Sequence, residues 1–254
     1  MTKRTYATKA EMDARMVASL TQTMATQAYR ELTGAQLFGY GLQFVPTLKW
    51  LKFISSHIRE EMEHYEVVVR SYKDFTGESV EPIVNARLAK RPIDFATSWF
   101  ELAMAQFLYD RGGFWQLQEY AQCAFVPYGE IVTTILEEEA GHQGPGERIV
   151  VELCRTGEFD DVKQRHFDKW FKQGMLSFGR PATEGNRFAV EAGLKKRDSG
   201  GAMQDFLDDI KPAVVASGLV FPTPESIGLD CPKDLNWSLE GVDPAKAQGF
   251  APSD

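Results

Sequence analysis

The residue types and spacings with the clearest chemical content are two Glu-x-x-His pairs, Glu61-Met62-Glu63-His64 and Glu139-Ala140-Gly141-His142. On a helix, residues three apart share a face, so each pair can present a carboxylate and an imidazole to the same metal ion. The chain has four histidines, and two of them sit in this pattern. Two such pairs on separate helices, with one carboxylate from each of two further helices, describe a carboxylate-bridged dinuclear site in a four-helix bundle. The plainer alternative is a pair of ordinary amphipathic helices with exposed histidines.

The spacing of the other carboxylates bears on that choice. Two antiparallel helices joined by a short turn bring residues level when they are equidistant from the turn. Glu31 precedes Glu61 by 30 residues (61 − 31), and Asp110 precedes Glu139 by 29 (139 − 110). Turns near Phe44-Val45-Pro46 and near Cys123 to Pro127 fall midway in each case. At about 1.5 Å per residue, all four carboxylates then lie roughly 20 Å from their turns. Glu119 lies 20 residues before Glu139 (139 − 119), which puts it more than about 10 Å from the metal level. The expected ligand set is therefore Glu31, Glu61, His64, Asp110, Glu139 and His142.

The elements that must position these groups read as helices. Apolar residues recur at helical spacing over about 10–43, 47–72, 95–122 and 128–154, with no alternating strand pattern. Pro46 and Pro127 suit first-turn helix positions. A longer connector over about 73–94, with Gly77, Pro82 and Pro92, joins the two hairpins. One long crossover between two hairpins is the connectivity of ferritin-like bundles. The expected organisation is one all-α ferritin-like domain over 1–254. It comprises a four-helix bundle at about 10–155, further helices within about 156–218, and an extended arm at about 219–254. Those further helices are expected at about 160–176, 184–196 and 203–217, and the arm is ordered where Leu229, Leu235 or Trp237 find pockets.

Four carboxylates and two imidazoles, with no thiolate, favour iron, with manganese as the alternative. Four negative charges balance two divalent ions, which gives these groups a physical reason to be buried together. A metal-bound histidine usually passes its other N–H to a carboxylate. Glu60 and Glu138 precede the two ligand glutamates and could reach the histidine of a neighbouring helix; the alternative is that they face solvent. Gly112-Gly113 after Asp110 read either as a local distortion beside the metals or as tolerated glycines. Gly34, Gly39 and Gly41 read first as close helix packing and second as a substrate channel. His57 and His166 lack a ligand context; His57, one helical turn before Glu61, reads first as a partly exposed structural residue and second as a neighbour of the metal ligands.

Composition narrows the class further. A chain of 254 residues, 43% apolar, can bury a large core. A net charge of −8 argues against a nucleic-acid partner. No apolar run is long enough for a membrane helix, and the charged N-terminus does not read as a signal peptide. Cys123, Cys154 and Cys231 are odd in number and lack metal spacing, which fits reduced cytoplasmic thiols.

Beyond the ligand motif, Arg30-Glu31, Thr47-Leu48, Tyr109-Asp110, Pro127-Tyr128, Glu138-Glu139, His142-Gln143, Phe178-Gly179 and the stretch Gly218 to Pro222 carry a likeness. From about Gln27 to Leu229 the chain resembles the ferritin-like proteins of phenylacetate catabolism, the family of the catalytic subunit of phenylacetyl-CoA epoxidase. The resemblance implies two irons on the six residues, with O2 activated there to insert an oxygen atom into an aromatic or alicyclic acyl-CoA-type thioester. It also implies a flavin/iron–sulfur reductase, a related ferritin-like partner subunit and an oligomeric assembly. The competing readings are a non-catalytic ferritin-like partner or scaffold subunit, and a ferroxidase or storage protein.

Overall fold

The computed structural model describes residues 4–91 and 93–248; Pro92 of the expected connector and the arm beyond Gln248 lie outside them. Within these residues the architecture is all-α, and no strand forms. An isolated bridge pairs Tyr6 with Phe125. The helices are α1 (Ala14–Gly41), α2 (Leu48–Thr76), α3 (Glu81–Lys90), α4 (Trp99–Ala105) and α5 (Arg111–Gln118). They continue with α6 (Val126–Glu139), α7 (Gln143–Arg155), α8 (Lys163–Leu176), α9 (Glu184–Glu191) and α10 (Ser199–Ala216). A π-helical turn, Gln106–Asp110, joins α4 to α5. Among the described residues, no helix is long and apolar enough to cross a membrane.

The chain folds as two compact units. The first comprises Met1–Trp99, Tyr120–Glu138 and Phe188–Lys196; the second comprises Phe100–Glu119, Glu139–Arg187 and Arg197–Asp254.

In the first unit α1 packs along α2. Each helix starts on a side chain that satisfies an otherwise orphaned backbone N–H: Asp13 accepts from Met16, and Thr47 accepts from Trp50. Pro46 lies one residue outside the Thr47 cap rather than in the first turn, because the threonine hydroxyl takes the capping position. The chain reverses through a 3-10 turn, Leu42–Phe44. α2 ends at Gly77, whose φ of 82° is left-handed and costs glycine nothing. The buried stripe of α1 includes Leu20, Met24, Ala28, Glu31, Ala35 and Phe38. That of α2 is Ile54, His57, Glu61, His64, Val68, Tyr72 and Phe75. Both recur at helical spacing, and both carry polar residues at mid-length among apolar ones. The expected connector is not featureless: α2 runs on to Thr76, and α3 occupies Glu81–Lys90.

The expected third helix begins at Trp99, four residues later than the periodicity suggests, and contains the π turn that ends on Asp110. The fourth is interrupted between α6 and α7 by a turn at 140–142. Gly141 and Gly144 weaken helix propensity there. Pro145 has no N–H to donate to the Gly141 carbonyl, so it fits only the first turn of a new helix. The later helices α8, α9 and α10 fall within a few residues of the expected ranges, except that α9 stops at Glu191. The arm is largely non-helical and tied down by apolar anchors. Leu229 and Leu235 are buried, and the Trp237 ring lies 5.8 Å from Phe171 and 5.7 Å from Phe221.

Glycines set the close packing around the π turn. A Cβ on Gly174 would stand 2.5 Å from the Leu108 carbonyl oxygen; one on Gly112 would stand 2.7 Å from the Gly174 carbonyl oxygen; one on Gly146 would stand 2.8 Å from the Phe107 nitrogen. These are backbone atoms and cannot swing aside. Gly174→Ala and Gly112→Ala are each expected to lower stability by about 1–3 kcal/mol, as overpacked cores do. Thermal or urea unfolding followed by circular dichroism checks this, with Gly39→Ala, which meets nothing within 4 Å, as the neutral control.

Candidate metal centre

The first unit assembles Glu31, Glu61 and His64. Equal distances from the α1–α2 turn bring Glu31 level with Glu61, and one helical turn carries His64 onto the same face. One carboxylate or ring atom from each lies within 4.8 Å of the others, and all three residues are buried. Glu31 Oε2 stands 3.9 Å from His64 Nδ1. The other ring nitrogen, Nε2, lies 2.7 Å from Glu138 Oε2. A charged, half-exposed carboxylate at Nε2 favours the proton there and leaves the Nδ1 lone pair facing Glu31 and Glu61.

Gly34, one turn beyond Glu31, makes room for this arrangement: a Cβ there would sit 2.7 Å from Glu61 Oε2. Glu61 has a second neighbour. His57 Nε2 stands 3.3 Å from Glu61 Oε1. His57 is 1% exposed, which corrects the expectation of a partly exposed residue. The Phe38 ring covers it edge-on at 4.3 Å, and Phe53 lies beside it. The four-residue spacing to Glu61 was the available signal. Glu60 Oε1 accepts from Ser56 Oγ at 2.9 Å and pairs with Arg59. Glu31 is contacted from its own helix by Gln27, whose Nε2 donates to Oε1 at 3.0 Å. Gln27 in turn accepts from the Tyr128 hydroxyl at 2.5 Å. Ligand spacing does not single out Gln27 or Tyr128, although Pro127-Tyr128 is among the pairs that carry the family likeness.

The second unit carries Asp110, Glu139 and His142. Asp110 closes the π turn, Glu139 is the last residue of α6, and His142 caps the N-terminus of α7; all are buried. The break after Glu139 means that this Glu-x-x-His pair sits on a turn rather than on a continuous helix. It still brings the partners together, with His142 Nδ1 3.4 Å from Glu139 Oε2 and the His142 N–H donating to the Glu139 carbonyl at 3.0 Å. The next residue after Asp110 anchors the start of α7. Arg111 pairs with Glu147 at 2.6 Å, both fully buried, and donates to the Gln143 carbonyl at 2.7 Å. Removing either partner of such a pair strands a buried charge. Glu119 is engaged elsewhere, accepting from Arg197 Nε at 3.0 Å. His166 lies 3.5 Å from Glu101, which also receives Lys169 and Trp170.

Buried carboxylates beside an imidazole are costly in an apolar setting unless a cation or hydrogen bonds compensate them. Oxygen and imidazole donors in this combination fit iron or manganese. Gly34→Ala tests the geometry directly. The atom that must give way is the end of a flexible glutamate, so the fold is expected to survive, with an unchanged helical spectrum. The displaced Glu61 carboxylate is expected to lower iron retained after anaerobic loading and gel filtration by about tenfold, the range seen when ligand orientation is disturbed.

Comparison with known proteins places the chain in a family. No curated protein matches it closely enough to count as a relative. The family model described as phenylacetic acid catabolic protein matches residues 6–231. That match runs from the parallel bridge at Tyr6 through α10 to the start of the arm, and the chain belongs to the phenylacetic acid catabolic protein family.

Proposed function

We propose that the protein is the di-iron oxygenase component of a multicomponent system, using O2 to insert one oxygen atom into an aromatic or alicyclic acyl-CoA-type thioester. Glu31, Glu61 and His64 of the first unit and Asp110, Glu139 and His142 of the second are the proposed ligands. The observation that carries the reading is the buried Glu31–Glu61–His64 cluster with His64 backed by Glu138. Membership of a phenylacetic acid catabolic family supports the substrate class.

When bound, two irons supply the capacity to reduce O2 by two electrons. The chain's own residues do the rest. Glu138 fixes the His64 tautomer and orientation; Gly34 leaves space for the Glu61 carboxylate; Arg111, through Glu147 and the Gln143 carbonyl, fixes the start of α7 immediately after His142. Burial of all six proposed ligands limits competition from water for the metal.

The electrons come from outside the chain. Three cysteines are too few for a four-thiolate cluster, and no dinucleotide-binding glycine fingerprint is present in the sequence. A flavin/iron–sulfur reductase is the proposed donor, with a ferritin-like subunit as the proposed structural partner in an oligomer. Burial pushes the Cys154 thiol up to about 11, as suits an unreactive thiol.

Anaerobic reconstitution with ferrous iron is expected to load about two irons per chain. Addition of the reductase, O2 and acyl-CoA esters is expected to give a product one oxygen atom heavier than its substrate. A loading near zero in folded protein would overturn the metal assignment. Oxidation of ferrous iron without substrate oxygenation would favour the ferroxidase reading. Asp110→Asn is expected to lose at least one iron per chain, whereas Glu119→Gln is expected to keep both, because its carboxylate serves Arg197 instead. Elemental analysis distinguishes the two variants, and the opposite pattern would reassign the ligand of this segment.

A further inference from the structure

Glu31 is held by a hydrogen-bonded chain that ends on a tyrosine from another helix. Tyr128 lies on α6, and Gln27 lies one turn before Glu31 on α1. All three are buried, Tyr128 to within 1% of complete enclosure. The Tyr128 hydroxyl meets Gln27 Oε1 at 2.5 Å, and Gln27 Nε2 meets Glu31 Oε1 at 3.0 Å.

The direction of this chain is fixed by the groups in it. A carboxamide oxygen can only accept, so the tyrosine must donate to it. The reverse orientation of Gln27 would set its oxygen against a carboxylate oxygen, acceptor against acceptor. Burial, reinforced by Tyr120, Cys123 and Glu31, raises the Tyr128 hydroxyl well above its ordinary range, so it remains a donor at physiological pH. The amide N–H is therefore aimed at Glu31 with no competing orientation. The two oxygens of Glu31 then have different surroundings: Oε1 receives the amide, and Oε2 stands on the His64 Nδ1 side.

We propose that Tyr128, acting through Gln27, is a positioning residue that holds Glu31 as a one-oxygen metal ligand, with Oε1 reserved for the amide and Oε2 presented to the metal. The inference rests on the metal-site reading above and adds to it. It assigns a coordination mode to one ligand and gives a function to two buried polar residues outside the ligand motif. Without the amide, Oε1 is released to compete for the same ion or for its neighbour, and the carboxylate can rotate between one- and two-oxygen binding.

The test separates positioning from mere structural support. Tyr128→Phe leaves the Gln27 oxygen buried without its donor, and Gln27→Leu leaves the Tyr128 hydroxyl buried without its acceptor; each single change costs stability. The double variant Tyr128→Phe/Gln27→Leu replaces both polar ends by apolar groups, so it is expected to regain thermal stability relative to either single variant. The metal readout is anaerobic titration of the apoprotein with cobalt(II), whose visible bands report coordination number and symmetry. Wild-type protein is expected to bind it. All three variants are expected to bind one cobalt about tenfold or more weakly, with altered bands, and the double variant no worse than Gln27→Leu alone. Recovered stability with metal affinity still low supports the proposal. Wild-type bands and affinity in the folded double variant would overturn it while leaving the metal site standing. Absence of cobalt binding by the wild type would overturn both.

Discussion

The constraint on which the first unit depends is the cost of placing carboxylates and imidazoles inside a helical core. An ionised side chain there is expensive, and an unoriented one is of little use as a ligand. The helix pair meets both demands by giving each polar residue a specific neighbour. Glu31 has Gln27 and, behind it, Tyr128; His64 has Glu138; Glu61 has His57 and the space left by Gly34. The apolar residues above and below in the two stripes exclude water and make these few contacts decisive.

The second unit meets a related demand through its backbone. A π turn carries one extra residue relative to an α turn and so changes the direction of the side chains that follow, which is why such turns recur at functional positions. Here it ends on Asp110, and the glycines Gly112, Gly146 and Gly174 bring neighbouring main chains close enough to enclose it. The break at 140–142 places His142 at the N-terminus of α7. Arg111 then ties that terminus down through a carbonyl and a buried carboxylate. These are unfavourable local choices. A helix-weakening glycine pair, an interrupted helix and a buried arginine all cost stability, and their concentration around Asp110 and His142 fits a site where geometry matters more than local propensity.

The same arrangements direct the donor atoms. In the first unit, His64 Nε2 is turned to Glu138 and Glu31 Oε1 to Gln27, so His64 Nδ1 and Glu31 Oε2 are the atoms directed into the cluster. These hard donors in an enclosed setting are what the proposed metal site requires. The family to which the chain belongs, described as phenylacetic acid catabolic protein, supports that proposal.

The helical class and the level of the key groups in the first unit were legible from the residues alone. Helical periodicity marks the buried stripes, and equal distances of Glu31 and Glu61 from a short turn suffice to bring them together, because an α-helix has a fixed rise per residue. Glu138 was legible too, since the residue before a ligand glutamate can point toward the adjacent helix. Contacts that depend on side-chain packing between segments distant in the chain were not: Tyr128 with Gln27, 101 residues away; Arg111 with Glu147; and the Phe38 ring that encloses His57. No spacing rule encodes these. The interruptions were hidden for a different reason. A π turn and a one-turn break barely alter hydrophobic periodicity, so the stretches over 95–122 and 128–154 each read as one helix. The break at 140–142 has local causes in Gly141, Gly144 and Pro145, which periodicity does not weigh, whereas the π turn is a property of the folded chain, packed where Gly146 and Gly174 let neighbouring main chains approach Phe107 and Leu108.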